Sequence, residues 1–531
     1  MVSLKGRLVL FFLLFGFISI YSWYFQKFQI MAFPLDDAAI HFCYARNLAQ
    51  GYGFSFNPGE PSFGTSSPLW VLLISGMIHF VNPYVSARLI AILSFWMISC
   101  LFFVIVYNSW LKEIVPFSES PFYERERNNH LIYHFIIALA FLCSYGNFLW
   151  ITFAGMESAL WCALVLLAIY FLICEHPSWA GYVFLGLAGM CRLESVLLIP
   201  LVIGWQIYYR KDLNKIVIGC LITLFITFSF NIYAYFVTGY FLPTTRAGKL
   251  ATNLFNSGFS IKGPIIFLFR HLNYLRFAEP FALFALVFTL VGHTIWTFSG
   301  GYKRRAVGPY GILLFFSLGV FVYHALFFRS TAMLTPYHNF RYQVLFFPVI
   351  ALGQSLVLGE LNYLLKNSQL KPIIKVIPIV ILAGSFFWSH MKWRELYEAQ
   401  SRHINDVHME AARWCKDNLP ASARIACFDI GSLGYFSGRY VIDLGGLINP
   451  EIYPYFRKKE LGKYLEKIRA THYIELGTPG SERILGIKKD EGILYRLRLI
   501  AYFSGTRVKE PVLLHSWEMR VYEIDWISRN R

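Results

Sequence analysis

Long apolar runs recur along the chain and are separated by short polar segments. A helix needs about 20 mainly apolar residues to cross the hydrocarbon core of a bilayer. The pattern therefore predicts a polytopic α-helical membrane protein with about eleven transmembrane helices. The predicted spans are Leu8–Phe28, Ala87–Leu111, Ile132–Phe153, Ser158–Ile173, Trp179–Met190, Ser195–Tyr209, Ile216–Val237, Phe277–Phe298, Gly308–Phe328, Tyr342–Leu358 and Ile373–His390.

The first apolar run begins like a signal peptide, because Lys5 and Arg7 precede it. No small-x-small cleavage site follows it. We therefore interpret it as an uncleaved transmembrane helix whose N-terminus is cytoplasmic, and a cleaved signal peptide is the alternative.

The apolar stretch Ser66–Asn82 is short, with Pro68 near its start and Pro83 directly after its end. At 1.5 Å per residue it covers only about 25 Å. If it lies along the membrane surface, the basic loops all fall in the cytoplasm, as the positive-inside rule requires. We therefore predict a juxtamembrane helix within a first extracytoplasmic loop at residues 31–86. The basic loops contain Arg125 and Arg127; Arg210, Lys211 and Lys215; Lys303, Arg304 and Arg305; and Lys366 and Lys371.

The character of the chain changes after His390, where charged residues become dense and apolar runs shorten. "ARIACFDI" and "RYVIDL" are typical of short strands, and "DVHMEAARWCKDNL" is typical of an amphipathic helix closed by Pro420. We predict a transmembrane domain at residues 1–390 and a soluble α/β domain at 391–531. The number of spans places the second domain outside the cytoplasm.

Composition supports a membrane protein and excludes a soluble enzyme. Of the 531 residues, 56% are hydrophobic and 15% are charged, whereas soluble proteins carry about 25% charged residues. The formal charge is +17, but the basic residues lie in short loops, which favours membrane orientation over nucleic-acid binding. The nine cysteines include no CxxC pair, so neither a disulfide framework nor a zinc site is predicted.

Two adjacent carboxylates, Asp36 and Asp37, follow Pro34 where the chain leaves the first span. The next residues, "AAIHFCYARNLAQG", suit an amphipathic helix that lies on the membrane and ends at Gly51. One Asp is explained as the cap of that helix. The second needs another role, such as a general base, a cation ligand or a partner for a sugar hydroxyl.

Other ionisable residues fall at the same predicted face of the membrane. Arg192 and Glu194 interrupt apolar segments, so they pair with each other or face a polar cavity. Glu157 fits either that cavity or the N-terminus of a helix. The remaining cations either contact lipid headgroups or bind a phosphate together. They are Arg246, Lys249, His338 and Arg341.

The order of these motifs resembles the GT-C superfamily of integral membrane glycosyltransferases, which use polyprenyl-phosphate-linked sugars. The resemblance covers nearly the whole chain. It is most like bacterial members related to mycobacterial terminal arabinofuranosyltransferases, and more distantly like protein mannosyltransferases and the lipid A aminoarabinose transferase. The chain reads RLE at 192–194 where many relatives read Arg-Pro-Glu, and PTT at 243–245 where they often read Pro-Asn-Thr. The motifs are "DDAAIHFCYARNLAQGYGFSFNPGEPSFGTSSPLWVLL", "GMESALW", "CRLES", "FLPTTRAGK" and "NFRYQVLFFPVIALG".

The resemblance implies a GT-C fold and an inverting displacement at the anomeric carbon. Asp36 or Asp37 would be the base, and the other would orient the acceptor or bind an optional divalent cation; no cofactor is certain. The implied donor-phosphate ligands are Arg246, Lys249, Arg341 and Arg192. The implied sugar or acceptor contacts are His41, Tyr44, Glu157, Glu194 and His338.

We therefore expect a polyprenyl-phosphate-sugar donor, a glycan, glycolipid or protein acceptor, and a location in a bacterial inner membrane. The alternative is a transporter or flippase of a lipid-linked sugar, which needs no extracytoplasmic base. A third interpretation is an envelope scaffold whose working part is the soluble domain.

Overall fold

The computed structural model describes residues 32–106, 135–174, 178–245, 262–298, 308–327, 340–364, 371–458, 460–477, 495–505 and 518–526. The first predicted span, Leu8–Phe28, lies outside them.

Helices form the described chain as far as His403. Proline occupies the first helical position of several of them, where its missing N–H is not needed. The helices are α1 (Asp37–Ala49), α2 (Pro68–Met77), α3 (Pro83–Val106), α4 (Phe135–Ser144), α5 (Gly146–Phe153), α6 (Ser158–Ile169), α7 (Trp179–Cys191), α8 (Leu198–Tyr208), α9 (Leu213–Thr238), α10 (Lys262–Ala278), α11 (Pro280–Phe298), α12 (Gly308–Phe327), α13 (Phe346–Leu364) and α14 (Lys371–His403).

Within the described residues, three helices are long and apolar enough to cross a membrane. They are Pro83–Phe102 in α3, α9, and Gly308–Leu326 in α12. A fourth span results if the bent pair α4 and α5 is one crossing. The predicted number of eleven is therefore not confirmed. At ten residues α2 is about 15 Å long, which fits the predicted juxtamembrane helix.

The predicted span Ile132–Phe153 is bent by 74° between α4 and α5. A break inside a bilayer leaves backbone N–H groups that need partners. Here Gly146 N donates to Ser389 Oγ at 2.7 Å, and Asn147 N donates to Glu279 Oε1 at 2.8 Å. Side chains from α14 and from the junction between α10 and α11 therefore stabilise the bend.

A second break lies at Arg192, which is extended (φ −150°, ψ 121°) between α7 and a 3₁₀ turn at Leu193–Leu197. The predicted span Ser195–Tyr209 therefore begins with that turn and becomes α-helical only at α8. Because of this break, the side chain of Arg192 does not follow the regular helical spacing of α7.

A five-stranded sheet and short helices form the C-terminal part. The sheet order is β2-β1-β3-β5-β4, with β1 parallel to β2 and β3, and β5 antiparallel to β3 and β4. Both predicted strands are present as β1 and β2. The elements are α15 (Glu410–Asn418), β1 (Arg424–Cys427), α16 (Gly431–Phe436), β2 (Tyr440–Asp443), α17 (Tyr453–Lys458), α18 (Leu461–Lys467), β3 (His472–Leu476), β4 (Tyr495–Ser504) and β5 (Glu518–Trp526).

The helix α14 runs without interruption across residue 390, where we place the domain boundary, and continues into a π turn at Ile404–Met409. The helix α15 follows and ends before Pro420, as predicted. One continuous helix therefore connects the two predicted domains.

The helix α1 differs from its prediction as a helix lying on the membrane. Nine of its residues, from Ala38 to Asn47, are buried, and it packs on α16 and α2. Since α16 lies almost 400 residues further along the chain, its cover over α1 was not visible in the local pattern.

Candidate active site

Asp36 is enclosed between the first loop and the C-terminal part. It is 3% exposed, and its carboxylate accepts hydrogen bonds from Gly431 N at 2.7 Å and Ser432 N at 2.8 Å. His408 Nδ1 lies 3.6 Å from Asp36 Oδ1. Burial raises the pKa of Asp36, but His408 and the Ser432 N–H outweigh burial and hold the pKa below its usual value.

Asp36 occupies the cap position of α1, yet its side chain makes no capping hydrogen bond to α1. It caps the first turn of α16 instead. The sequence predicted a capping Asp, and the structure assigns the cap to a different helix.

Asp37 has a different environment. Its side chain is 40% exposed, and Oδ2 lies 2.7 Å from Arg341 Nη2 in a salt bridge. The carboxylate is therefore held in one place while part of it remains accessible to another molecule.

Arg341 is a buried cation with unused hydrogen-bonding capacity. Phe340 precedes it in a left-handed conformation (φ 62°), and the following 3₁₀ turn directs the guanidinium toward Asp37. Nη2 also donates to the Tyr342 hydroxyl at 3.0 Å. Among the described residues, Arg341 Nη1 has no hydrogen-bond partner, so it can donate to an anion.

Arg192 contacts the backbone of Arg341. Its Nη1 donates to the backbone oxygen of Arg341 at 3.1 Å, and its guanidinium lies 4.8 Å from the Trp161 ring centroid and 5.4 Å from that of Tyr342. Its Nε is 3.7 Å from Glu157 Oε1. Arg192 thus connects Glu157 with the Asp37–Arg341 pair.

Arg192 and Glu194 were expected to pair with each other or to face a cavity. In the structure Arg192 pairs with Glu157, and Glu194 Oε1 lies 3.4 Å from His324 Nε2. The extended backbone at Arg192 separates the two side chains. His324 also faces Tyr342, with ring centroids 5.7 Å apart.

His41 lies one helical turn after Asp37 on α1. Its Nδ1 is 2.8 Å from Thr65 Oγ1. Burial lowers the pKa of His41; Glu157 and Asp37 oppose this shift, and Arg341 adds to it. His41 therefore shares the electrostatic environment of these charged residues.

Tyr44 forms hydrogen bonds within the first loop. It is fully buried, and its hydroxyl is 2.8 Å from Ser62 Oγ and accepts from Gly64 N at 2.8 Å. These contacts hold the loop on α1. Sugar binding by Tyr44 stays a prediction.

Arg246, Lys249 and His338 lie outside the described residues. The chain that leads to Arg246 is fixed at Thr244, whose N donates to Phe63 O at 2.9 Å. Thr244 Oγ1 also donates to Leu447 O in the C-terminal part. The first loop and the C-terminal part therefore meet at the start of this cationic segment.

Sequence reasoning missed several members of this site. Tyr342 is next to Arg341, and an aromatic residue beside a buried cation was a usable signal. The others had no role assigned from the sequence, because their place in the site depends on packing between segments that the local pattern does not report. They are Trp161, His324, His408, Gly431 and Ser432.

The described residues contain no group of three or more His, Cys, Asp or Glu side chains that could hold a metal ion. The divalent cation considered from the sequence therefore has no candidate ligand cluster in this part of the chain.

Two solved structures are similar to this chain in overall fold. ArnT from Cupriavidus metallidurans bound to undecaprenyl phosphate aligns over 98% of this chain and 98% of its own, with 11% identity and a TM-score of 0.56. ArnT from the same organism in the apo state aligns over 97% of both chains, with 11% identity and a TM-score of 0.55. The chain therefore shares the fold of these structures, which is the GT-C fold that its motifs predicted.

Residues 393–518 match a family model described as a domain of unknown function (DUF8728). No curated protein matches the sequence. The matched range lies within the predicted C-terminal domain and begins inside α14.

Proposed function

We propose that the protein is an inverting glycosyltransferase that moves a monosaccharide from a polyprenyl-phosphate donor to a hydroxyl group, with Asp37 as general base. The Asp37–Arg341 pair carries this proposal. It combines an accessible carboxylate with a buried guanidinium whose Nη1 nitrogen has no hydrogen-bond partner among the described residues. The GT-C fold supports the same conclusion.

The reaction is a single displacement. The acceptor oxygen forms a bond to the anomeric carbon while the bond from that carbon to the phosphate oxygen breaks. Asp37 takes the acceptor proton, and polyprenyl phosphate leaves with the bonding electrons. A base is needed because an alcohol is a poor nucleophile until its proton is removed. Asp36 is a poor candidate for the general base, because its buried carboxylate already accepts hydrogen bonds from two backbone N–H groups.

Arg341 connects the base with the leaving group. Its Nη1, which has no partner in the described part of the chain, is available to the donor phosphate. A fixed cation stabilises the negative charge that develops on the phosphate. A guanidinium drawn toward phosphate holds Asp37 less strongly, which makes Asp37 a stronger base. Donor binding would thus activate the base.

The remaining predicted residues complete the proposed site. Arg192 holds the backbone of Arg341, and Arg246 and Lys249 are the further phosphate ligands that we propose. We assign the sugar and acceptor contacts to side chains around this centre. They are His41, Tyr44, Glu157, Glu194 and His338.

We propose an envelope glycan, a glycolipid or a protein as the acceptor, and a bacterial inner membrane as the location, with the site at its extracytoplasmic face. The ArnT structure bound to undecaprenyl phosphate supports a lipid-linked donor. The type of sugar, hexose or pentose, is left to the experiment.

Transfer from defined donors tests the proposal. Purified protein in lipid nanodiscs is given undecaprenyl-phosphate-linked mannose, glucose, galactose or arabinofuranose with an envelope extract as acceptor, and undecaprenyl phosphate and glycosylated product are measured. We expect one donor to be consumed with inversion, and Asp37→Asn to slow transfer by about 100-fold or more. Asp417→Asn removes an exposed carboxylate on α15 and should keep the wild-type rate.

Transfer from none of these donors contradicts the proposed function, as does full activity of Asp37→Asn. The bend between α4 and α5 is the feature that would favour the transporter alternative. Movement of an intact lipid-linked sugar across vesicle membranes, unaffected by Asp37→Asn, would support that alternative.

A further inference from the structure

Asp36 has no part in the proposed reaction, yet it is bonded to a region almost 400 residues away. The two N–H groups that donate hydrogen bonds to Asp36 belong to the first residues of α16. Its immediate neighbour along the chain is Asp37. The acidic pair therefore has one member in the C-terminal part and one in the proposed active site.

The helix α16 is held at both ends by α1. Asp36 accepts from its first turn, and Arg46 donates from Nη1 to Tyr435 O at 2.7 Å and from Nη2 to Gly434 O at 3.2 Å at its other end. A carboxylate at the N-terminal end and a guanidinium at the C-terminal end both match the polarity of helical peptide groups. The two helices are therefore fixed in register along their length.

Gly431 makes the contact with Asp36 close. A Cβ atom at Gly431 would overlap the backbone oxygen of Asp36 and lie 2.8 Å from Asp36 Oδ2. The backbone of the acidic pair thus rests directly on α16. A displacement of α16 is passed to the backbone of Asp37 without an intervening flexible side chain.

We propose that Asp36 is a positioning residue through which the C-terminal part sets the place of Asp37, so that sugar transfer depends on the docking of α16. This inference rests on the proposed function. A misplacement of a reacting group by about 1 Å can slow catalysis by about 100-fold. The C-terminal part is therefore a component of the active site as well as a neighbouring domain.

Two variants disturb this contact from opposite sides. Asp36→Ala removes the carboxylate, and Gly431→Ala keeps the carboxylate but forces α16 away from it. Asn57→Ala is the matched control, since Asn57 also makes two hydrogen bonds across the same interface, to Val441 O at 2.9 Å and from Val441 N at 3.1 Å. Asp36→Asn keeps the shape and one acceptor oxygen.

The kcat and the KM for the undecaprenyl-phosphate-linked sugar that the wild type consumes are measured for each variant in nanodiscs. We expect Asp36→Ala and Gly431→Ala to lower kcat by about 10- to 100-fold and to leave KM within about twofold. Asp36→Asn should recover part of kcat, and Asn57→Ala should keep it within about twofold. If Asp36→Ala does not fold, the kcat of Gly431→Ala tests the positioning role.

A kcat in Asp36→Ala and Gly431→Ala as high as that of Asn57→Ala, together with an inactive Asp37→Asn, overturns the positioning role and leaves the proposed function standing. A wild-type protein that transfers sugar from none of the donors overturns the proposed function, and the positioning role with it. The two failures are thus distinguishable.

Discussion

At the scale of single residues, Asp36 and Asp37 show how one peptide bond separates two environments. Successive side chains at the start of a helix point about 100° apart, because a helix has 3.6 residues per turn. One carboxylate therefore enters the C-terminal part, and the other reaches Arg341. The same residue type serves a buried structural contact and an accessible salt bridge.

Arg341→Lys tests the guanidinium. Lysine keeps the charge but has a single side-chain nitrogen. It therefore cannot bond to Asp37 through one nitrogen and keep a second nitrogen available for phosphate, as Arg341 does with Nη2 and Nη1. We expect kcat/KM for the lipid-linked donor to fall by about 100-fold, with an unchanged thermal unfolding midpoint. Arg402→Lys, at an exposed ion pair with Glu398, should have little effect. A kcat/KM within twofold of wild type for Arg341→Lys would contradict the role of the guanidinium.

At the scale of elements, polar side chains stabilise the breaks in otherwise apolar helices. The N–H groups at the start of α5 donate hydrogen bonds to the side chains of Ser389 and Glu279. Ser389 Oγ in turn donates to Glu279 Oε1 at 2.6 Å. This cluster joins α5, α14 and the start of α11. The bend is thus fixed by three regions of the chain.

Gly146→Ala should disturb that junction. A Cβ atom at Gly146 would lie 2.7 Å from Ser389 O and 2.8 Å from Trp393 Cβ, so α5 and α14 must separate. We expect destabilisation by about 1 to 3 kcal/mol, measured by thermal unfolding in detergent. Gly319→Ala on α12, where a Cβ would meet no described atom within 4 Å, is the control. Equal stability of the two variants would show that the junction tolerates separation.

At the scale of the whole molecule, the C-terminal part bonds both to the first loop and to the segment that follows α9. Asn57 bonds to β2, Thr244 bonds to Leu447, and Asp36 bonds to α16. Both the proposed base and the start of the segment that leads to Arg246 are therefore tied to this part.

Asp36 gives this docking a defined pH dependence. Its pKa in the folded protein lies below the ordinary value of 3.8, so its contribution to stability is present above pH 3.8 and is lost as the pH falls through the folded pKa. We expect Asp36→Ala to lower the thermal unfolding midpoint at pH 7, and the difference from wild type to narrow below pH 3.8. Scanning fluorimetry measures both. The difference for uncharged Asn57→Ala should not narrow in the same way, and a difference for Asp36→Ala that widens in acid would contradict the assignment.

Part of this architecture followed from the sequence. The long apolar runs predicted α3, α9 and α12 with ends within a few residues, because burial in lipid demands a continuous apolar surface. Alternation and turn residues predicted β1 and β2. The resemblance of the motifs to those of the GT-C superfamily predicted the fold, and the positive-inside rule predicted one shared membrane face for Asp37, Glu157, Arg192 and Arg341.

The pairing of these residues was decided by the tertiary structure. Whether Arg192 meets Glu194 or Glu157 depends on an extended backbone residue between α7 and the next turn, and whether α1 lies on lipid or under α16 depends on a helix far along the chain. Sequence periodicity reports which residues leave water, because that is a local property. It does not report which partner each polar group finds, because partners are chosen by packing between distant segments. The sequence therefore determined that two carboxylates stand side by side at the start of α1. The fold decided that Asp36 bonds to α16 while Asp37 stays accessible.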